Sequence, residues 1–118
     1  MEYTATARRP AARARRTSSA PAPRQLAARA REAAGFLRLL ANPSRLMILC
    51  ALAEGECSVG GLAERLGVAQ PNVSQHLFRL RAEGLVATRR EGQTIHYRLA
   101  SARVAPLIGH LYDLFCRP

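Results

Sequence analysis

The chain has 118 residues, 48% of them hydrophobic, which is enough for one compact domain with a tail left over. Its formal net charge is +10 and all 18 basic residues are arginine, so a polyanion is the natural partner. There is no apolar run of membrane-spanning length, no apolar secretory stretch at the N-terminus, and only three widely spaced cysteines, Cys50, Cys57 and Cys116. These features exclude a disulfide-framed secreted scaffold and lead to the expectation of a soluble cytoplasmic protein without a membrane partner.

Residues 1–23 are rich in Ala, Arg, Pro, Ser and Thr and carry too little apolar surface to offset the entropy of ordering. They are expected to form a disordered basic arm, either adding nonspecific phosphate affinity or serving as a solvated extension without a role. Residues 24–118 are expected to form one folded domain.

From Arg24 onward, Leu26, Ala30, Ala33, Leu37 and Leu40 recur at steps of three and four, the stripe of a first helix. Asn42-Pro43 interrupts it and restarts the chain, since Asn caps a helix well and Pro is tolerated in a first turn. The second helix is predicted to run to about Glu54, with Leu46, Leu49, Cys50 and Ala53 on one face and Gly55 as its stop. Ser58 is the expected N-cap of a short third helix carrying Val59, Leu62, Ala63 and Leu66 and ending at Gly67.

A fourth helix, about Gln70 to Glu83, has Val73, Leu77 and Leu80 on one side and Asn72, Gln75, His76 and Arg79 on the other. Two β-leaning runs follow, Leu85 to Arg90 and Thr94 to Leu99, separated by Glu91-Gly92-Gln93 and read as a hairpin. Val104, Leu107, Ile108, Leu111, Leu114 and Phe115 then hold the spacing of a fifth helix. The expected fold is mainly α with a β-hairpin: a winged helix-turn-helix of about five helices and a two-stranded wing.

In that arrangement the fourth helix lies in a DNA major groove, and Gln70, Asn72, Ser74, Gln75, His76 and Arg79 are the candidate readers of operator DNA. Amides suit adenine, arginine suits guanine or phosphate, and hydroxyls suit either base or backbone. The same residues would suit an ordinary solvated helix face, but the short helix before them and the basic hairpin after them weigh against that. Arg89, Arg90 and Gln93, with His96 and Arg98, would bring the wing to flanking phosphates. No nucleophile elbow, phosphate loop or paired-carboxylate site is present, so no enzymatic activity is expected.

The stretch LLANPSRLMILCALAEGE, followed by LAERLGVAQPNVSQHLFRLRAEGLVATRREGQTIHYRL, resembles the ArsR/SmtB family of dimeric repressors over about residues 30–117. The resemblance implies a homodimer built through the first and last helices and bound to a palindromic operator. It also calls for a search for the family's metal ligands. The arsenic-type Cys-Val-Cys pattern meets Cys57-Ser58-Val59-Gly60-Gly61-Leu62, with Ser58 and Gly60 at the two informative places, and the zinc-type pair meets Ser101 and Arg103. His110 and Asp113 alone are weak ligands, so neither a metal nor any other cofactor is expected.

Cys50 in Leu46-Met47-Ile48-Leu49-Cys50 and Cys116 in Leu114-Phe115-Cys116 are similar to the redox pair of the BigR/SqrR-like, reactive-sulfur-sensing subgroup. That resemblance implies persulfide or polysulfide as inducer, linking the two thiols through a disulfide or longer sulfur bridge and releasing the operator. From the residues alone, Cys50 reads first as a small core hydrophobe, and only the resemblance turns it into half of a redox pair; Cys57 has no counterpart in that pair. A general peroxide or thiol-stress sensor, a metal-responsive repressor and a constitutive DNA binder without inducer remain the alternatives.

Overall fold

The computed structural model describes residues 23–117. The expected basic arm therefore lies outside the described residues except for Pro23, which begins a helix. The described chain is divided into two units between Phe36 and Leu37.

In the first unit the single predicted helix is two: α1, Pro23–Ala28, and α2, Ala30–Leu40, whose last turn belongs to the second unit. The Arg29 N–H bonds to the Leu26 carbonyl only three residues back, at 3.0 Å, while the Ala33 N–H resumes the four-residue step to the Arg29 carbonyl. One tightened turn thus separates two segments whose apolar spacing is continuous.

The second unit opens at the end of α2, where Leu39 and Leu40 are buried. Arg45 donates to the carbonyls of Leu39 at 2.7 Å and Arg38 at 3.3 Å, closing the α2 C-terminus. Asn42 caps α3, Pro43–Glu54, its Oδ1 accepting from the Arg45 N–H at 3.0 Å. Asn42→Ala is expected to cost about 1 kcal/mol of stability, the usual value of an N-cap, measured as a shift of the urea unfolding midpoint at fixed protomer concentration.

The core face of α3 differs from expectation. Ile48, Leu49, Ala51 and Leu52 are buried, whereas Leu46 and Cys50 are half-buried and Ala53 is exposed. The helix is apolar around most of its girth and packs against four elements, α4 (Val59–Leu66), α5 (Gln70–Ala82), β3 (Thr94–Leu99) and α6 (Val104–Phe115).

A third, unpredicted strand, β1, Cys57–Ser58, follows. It pairs antiparallel with β3, Cys57 opposite Tyr97 and Ser58 opposite His96. Ser58 then caps α4, Val59–Leu66, its Oγ accepting from the Gly61 N–H at 3.1 Å. Gly67 closes α4 in the left-handed conformation at φ 66°, which a side-chain-bearing residue adopts only with strain. Two residues later α5 runs from Gln70 to Ala82 and packs on α4 and α3.

The wing is β2, Val86–Glu91, and β3, Thr94–Leu99, in a sheet of order β1-β3-β2. Glu91 pairs with Thr94, so the turn is the two residues Gly92-Gln93 rather than three, with Gly92 at φ 64°. The last helix, α6, is Val104–Phe115. Ile48, Leu49, Leu62, Val73, Leu77, Leu80 and Val104 are fully buried, and no polar residue is buried among the described residues. Each such side chain contributes about 1.5–3 kcal/mol of transfer free energy, so α5 is held to α3 and α4 by its Val73–Leu77–Leu80 face.

Candidate nucleic-acid interface and dithiol site

With one face of α5 pinned in the core, the helical period turns its other residues outward. Gln70, Asn72, Ser74, Gln75 and Arg79 are all exposed. His76 departs from that set. It is half-buried, and burial first, then the Arg45 charge, pulls its pKa below the usual histidine value. It is therefore neutral at pH 7, a hydrogen-bonding group rather than a phosphate-binding cation. Phe78, which the amphipathic pattern did not single out, is 77% exposed on the outward side.

On the wing, Arg89, Arg90 and Gln93 are exposed and His96 is half-buried. Arg89 is engaged: its Nε donates to Glu56 at 2.8 Å and its Nη1 to Glu91 at 3.4 Å, and the His96 ring lies 3.4 Å from the same Glu91. Glu56 precedes β1, so this pair ties the wing to the α3–β1 connection, a link no sequence spacing could show. Arg90 donates to the Gly92 carbonyl at 3.3 Å. Among the described residues, Arg79, Arg81 and Arg98 are exposed and carry no ion pair.

A second site lies between α3 and α6. A groove of about 730 Å³ is lined chiefly by apolar side chains, among them Leu46, Met47, Ile108, Leu111 and Phe115, and both Cys50 and Cys116 open into it. Cys50 is half-buried and Cys116, just past the end of α6, is exposed; both are free thiols. Burial above all, with the Glu54 and Cys116 charges added, pushes the Cys50 thiol up from its ordinary pKa. Cys50 thus rests protonated at neutral pH, and Cys116 is the sulfur open to solvent.

A raised pKa leaves less thiolate at any given pH, and only the thiolate is alkylated. Iodoacetamide labelling of Cys50, followed by peptide mass, is expected to reach its half-maximal rate at a pH above that of free cysteine and to lag behind Cys116 at neutral pH. Equal rates at every pH would contradict the burial argument.

Cys57 stands apart, half-buried in β1 beside Arg65. Asp113 is paired with Arg117 at 3.1 Å and Glu54 with Arg65 at 2.7 Å. Among the described residues no three His, Cys, Asp or Glu side chains gather as a metal could require.

Two helices joined by a tight turn, the second with a polar outward face, and a basic β-hairpin beside them define a winged helix-turn-helix DNA-binding protein. Residues 42–88 match the bacterial regulatory proteins of the arsR family. The chain is 52% identical over 90 residues to the biofilm growth-associated repressor of Agrobacterium fabrum, covering 76% of this chain and 77% of that one. It superposes on the crystal structure of the transcriptional repressor BigR from Xylella fastidiosa with a TM-score of 0.79 at 44% identity, covering 83% of this chain and 100% of that one. A homodimeric winged helix-turn-helix DNA-binding domain from Mycobacterium bovis gives a TM-score of 0.66 at 35% identity, with 81% and 88% covered. The chain belongs to the arsR family of DNA-binding transcription regulators, a family of regulators rather than enzymes.

Proposed function

We propose that this chain is a cytoplasmic transcriptional repressor that binds a palindromic operator as a reduced homodimer and leaves it when a persulfide links Cys50 to Cys116. The observation that carries this reading is that these two thiols, from α3 and from the end of α6, line one groove. The names of the relatives from A. fabrum and X. fastidiosa support repression, and that of the M. bovis domain supports a homodimer. So do Leu114 and Phe115 on α6, which are 76% and 81% exposed and suit burial against a second copy.

In the reduced state Gln70, Asn72, Ser74, Gln75 and Arg79 read base edges or phosphate and His76 supports them from the half-buried flank. Arg90 and Gln93 reach flanking backbone, joined by Arg89 when it exchanges its carboxylates for phosphate. The inducing step begins at Cys116, whose thiolate attacks the terminal sulfur of a persulfide RSSH, displaces RS⁻ and becomes Cys116–S–SH. Cys50, once deprotonated, attacks the Cys116 sulfur; the S–S bond breaks, hydrosulfide leaves and a Cys50–Cys116 disulfide forms. Two thiols are oxidised, and the persulfide is reduced to RSH and H₂S. A second RSSH that first converts Cys50 to Cys50–S–SH, with loss of RS⁻, lets its outer sulfur attack the Cys116 sulfur and displace hydrosulfide, which gives a trisulfide bridge instead.

The bridge ties the end of α6 to α3, and α3 packs on the recognition helix α5. To weaken operator binding a hundredfold, the bridged state needs to disfavour the bound geometry by only about 2.7 kcal/mol. The test is fluorescence anisotropy of the full chain with a duplex enriched from a random pool, before and after persulfide, with intact mass recorded on each sample. The reading requires release together with an intrasubunit loss of two hydrogens or a gain of sulfur. Oxygen adducts instead would point to a peroxide sensor, and binding indifferent to thiol state would reject the switch.

A further inference from the structure

We infer that Phe78 is a specificity-determining residue of the α5 interface, reading the 5-methyl group of a thymine in the major groove of each half-site. On α5 the buried residues Val73, Leu77 and Leu80 set the inward direction. At 3.6 residues per turn Phe78 falls on the far side from them, one turn beyond Ser74 and Gln75 and next to Arg79. Its ring is 77% exposed, in the middle of the surface the helix presents outward.

An aromatic ring left in water on that surface calls for an apolar partner. The neighbours of Phe78 one turn away on the helix are Ser74, Gln75, Arg81 and Ala82, so apart from the single methyl of Ala82 the ring stands within a frame of hydrogen-bonding groups rather than in a broad apolar patch. A protein partner would require the contiguous patch. The major groove fits the single ring: among base edges there, only thymine carries an apolar methyl, and its flanks are the donors and acceptors that amides, hydroxyls and guanidinium groups pair with. The ring would therefore supply preference for thymine at one position, while Gln75 and Arg79 supply directional hydrogen bonds beside it. This assignment rests on α5 being the reading helix.

The experiment crosses protein and DNA substitutions. The full chain and its Phe78→Ala and Phe78→Leu variants are titrated against the duplex enriched from a random pool. Each thymine in turn is replaced by deoxyuridine, which lacks only the methyl. For the parent protein, one position per half-site is expected to lose about fourfold in affinity, the value of one buried methyl, and about fifteenfold when both half-sites are changed. Phe78→Ala binds the unmodified duplex more weakly and shows no deoxyuridine penalty at that position, while Phe78→Leu, still apolar, retains one. A penalty that survives in Phe78→Ala, or no position with a penalty in the parent, overturns the assignment. So does unchanged DNA binding by Phe78→Ala with altered self-association in gel filtration, which makes the ring a protein contact. Failure to enrich any duplex overturns the reading of α5 along with it.

Discussion

Substituting either Cys50 or Cys116 by Ser is expected to leave operator binding by the reduced chain within about twofold of the parent and to remove persulfide-induced release, a loss of about a hundredfold response. Neither sulfur lies on the outward face of α5 or on the wing, so neither substitution subtracts a DNA contact. Cys50 is half-buried and opens into the α3–α6 groove, where a hydroxyl remains within reach of solvent. A thiol left alone still takes up a sulfur from persulfide but cannot resolve it into a bridge. The two variants should therefore differ in mass after treatment: Cys50→Ser stops at a persulfide on exposed Cys116, while Cys116→Ser reacts slowly, because burial and Glu54 keep Cys50 protonated. Cys57→Ser, in β1, is expected to respond as the parent does. Persulfide release that persists in either Cys50→Ser or Cys116→Ser would reject the dithiol mechanism.

Leu77→Ala is expected to destabilise the fold by about 2–5 kcal/mol, the range for emptying a fully buried leucine site. Leu77 is fully buried between Val73 and Leu80 on the inward face of α5, which packs against both α3 and α4. A domain of this size has about 5–15 kcal/mol in total, so the change removes a large part of it. DNA binding falls with it, because the same packing sets the height and rotation of the reading face. The adjacent Phe78→Ala is the control: exposed to solvent, it should change stability by no more than about 0.5 kcal/mol. Urea unfolding of both variants at equal protomer concentration makes the comparison. Equal destabilisation at the two neighbouring positions would contradict the assigned orientation of α5.

Much of the architecture was legible because its signals are local. Asn42-Pro43 and Ser58 mark helix starts through side-chain hydrogen bonds that reach only three residues along the chain. Gly67 marks an end through its own φ, and Val73, Leu77 and Leu80 mark the inward face of α5 through periodicity alone. The polar set on α5 was legible for the same reason, since naming the buried face also names the outward one. The family resemblance added the cysteine pair, which no spacing within this chain could supply.

What the local signals missed depended on distant partners. Two residues cannot display a strand period, so β1 exists only because β3 offers Cys57 and Ser58 an unpaired edge. On α3, Leu46, Cys50 and Ala53 share a face as their spacing predicts, but it lines the groove beside α6 while Ile48, Ala51 and Leu52 are buried elsewhere, because a helix packed against several elements has no single inward direction. His76 reads as one of the outward residues, yet it is half-buried, and burial first, then the charge of Arg45 on another helix, pulls its pKa down. Arg89 reads as a free wing cation, yet it is held by Glu56 far back in the chain. By itself, then, the sequence determined the order of the helices, their caps, the two faces of α5 and the basic character of the wing. Only the tertiary structure decided that Cys50 and Cys116 open into one groove, that Phe78 stands out in water and that the wing is tied down through Glu56. Each of these is a meeting between separate elements, or its absence, which the folded core sets and no local run of residues encodes.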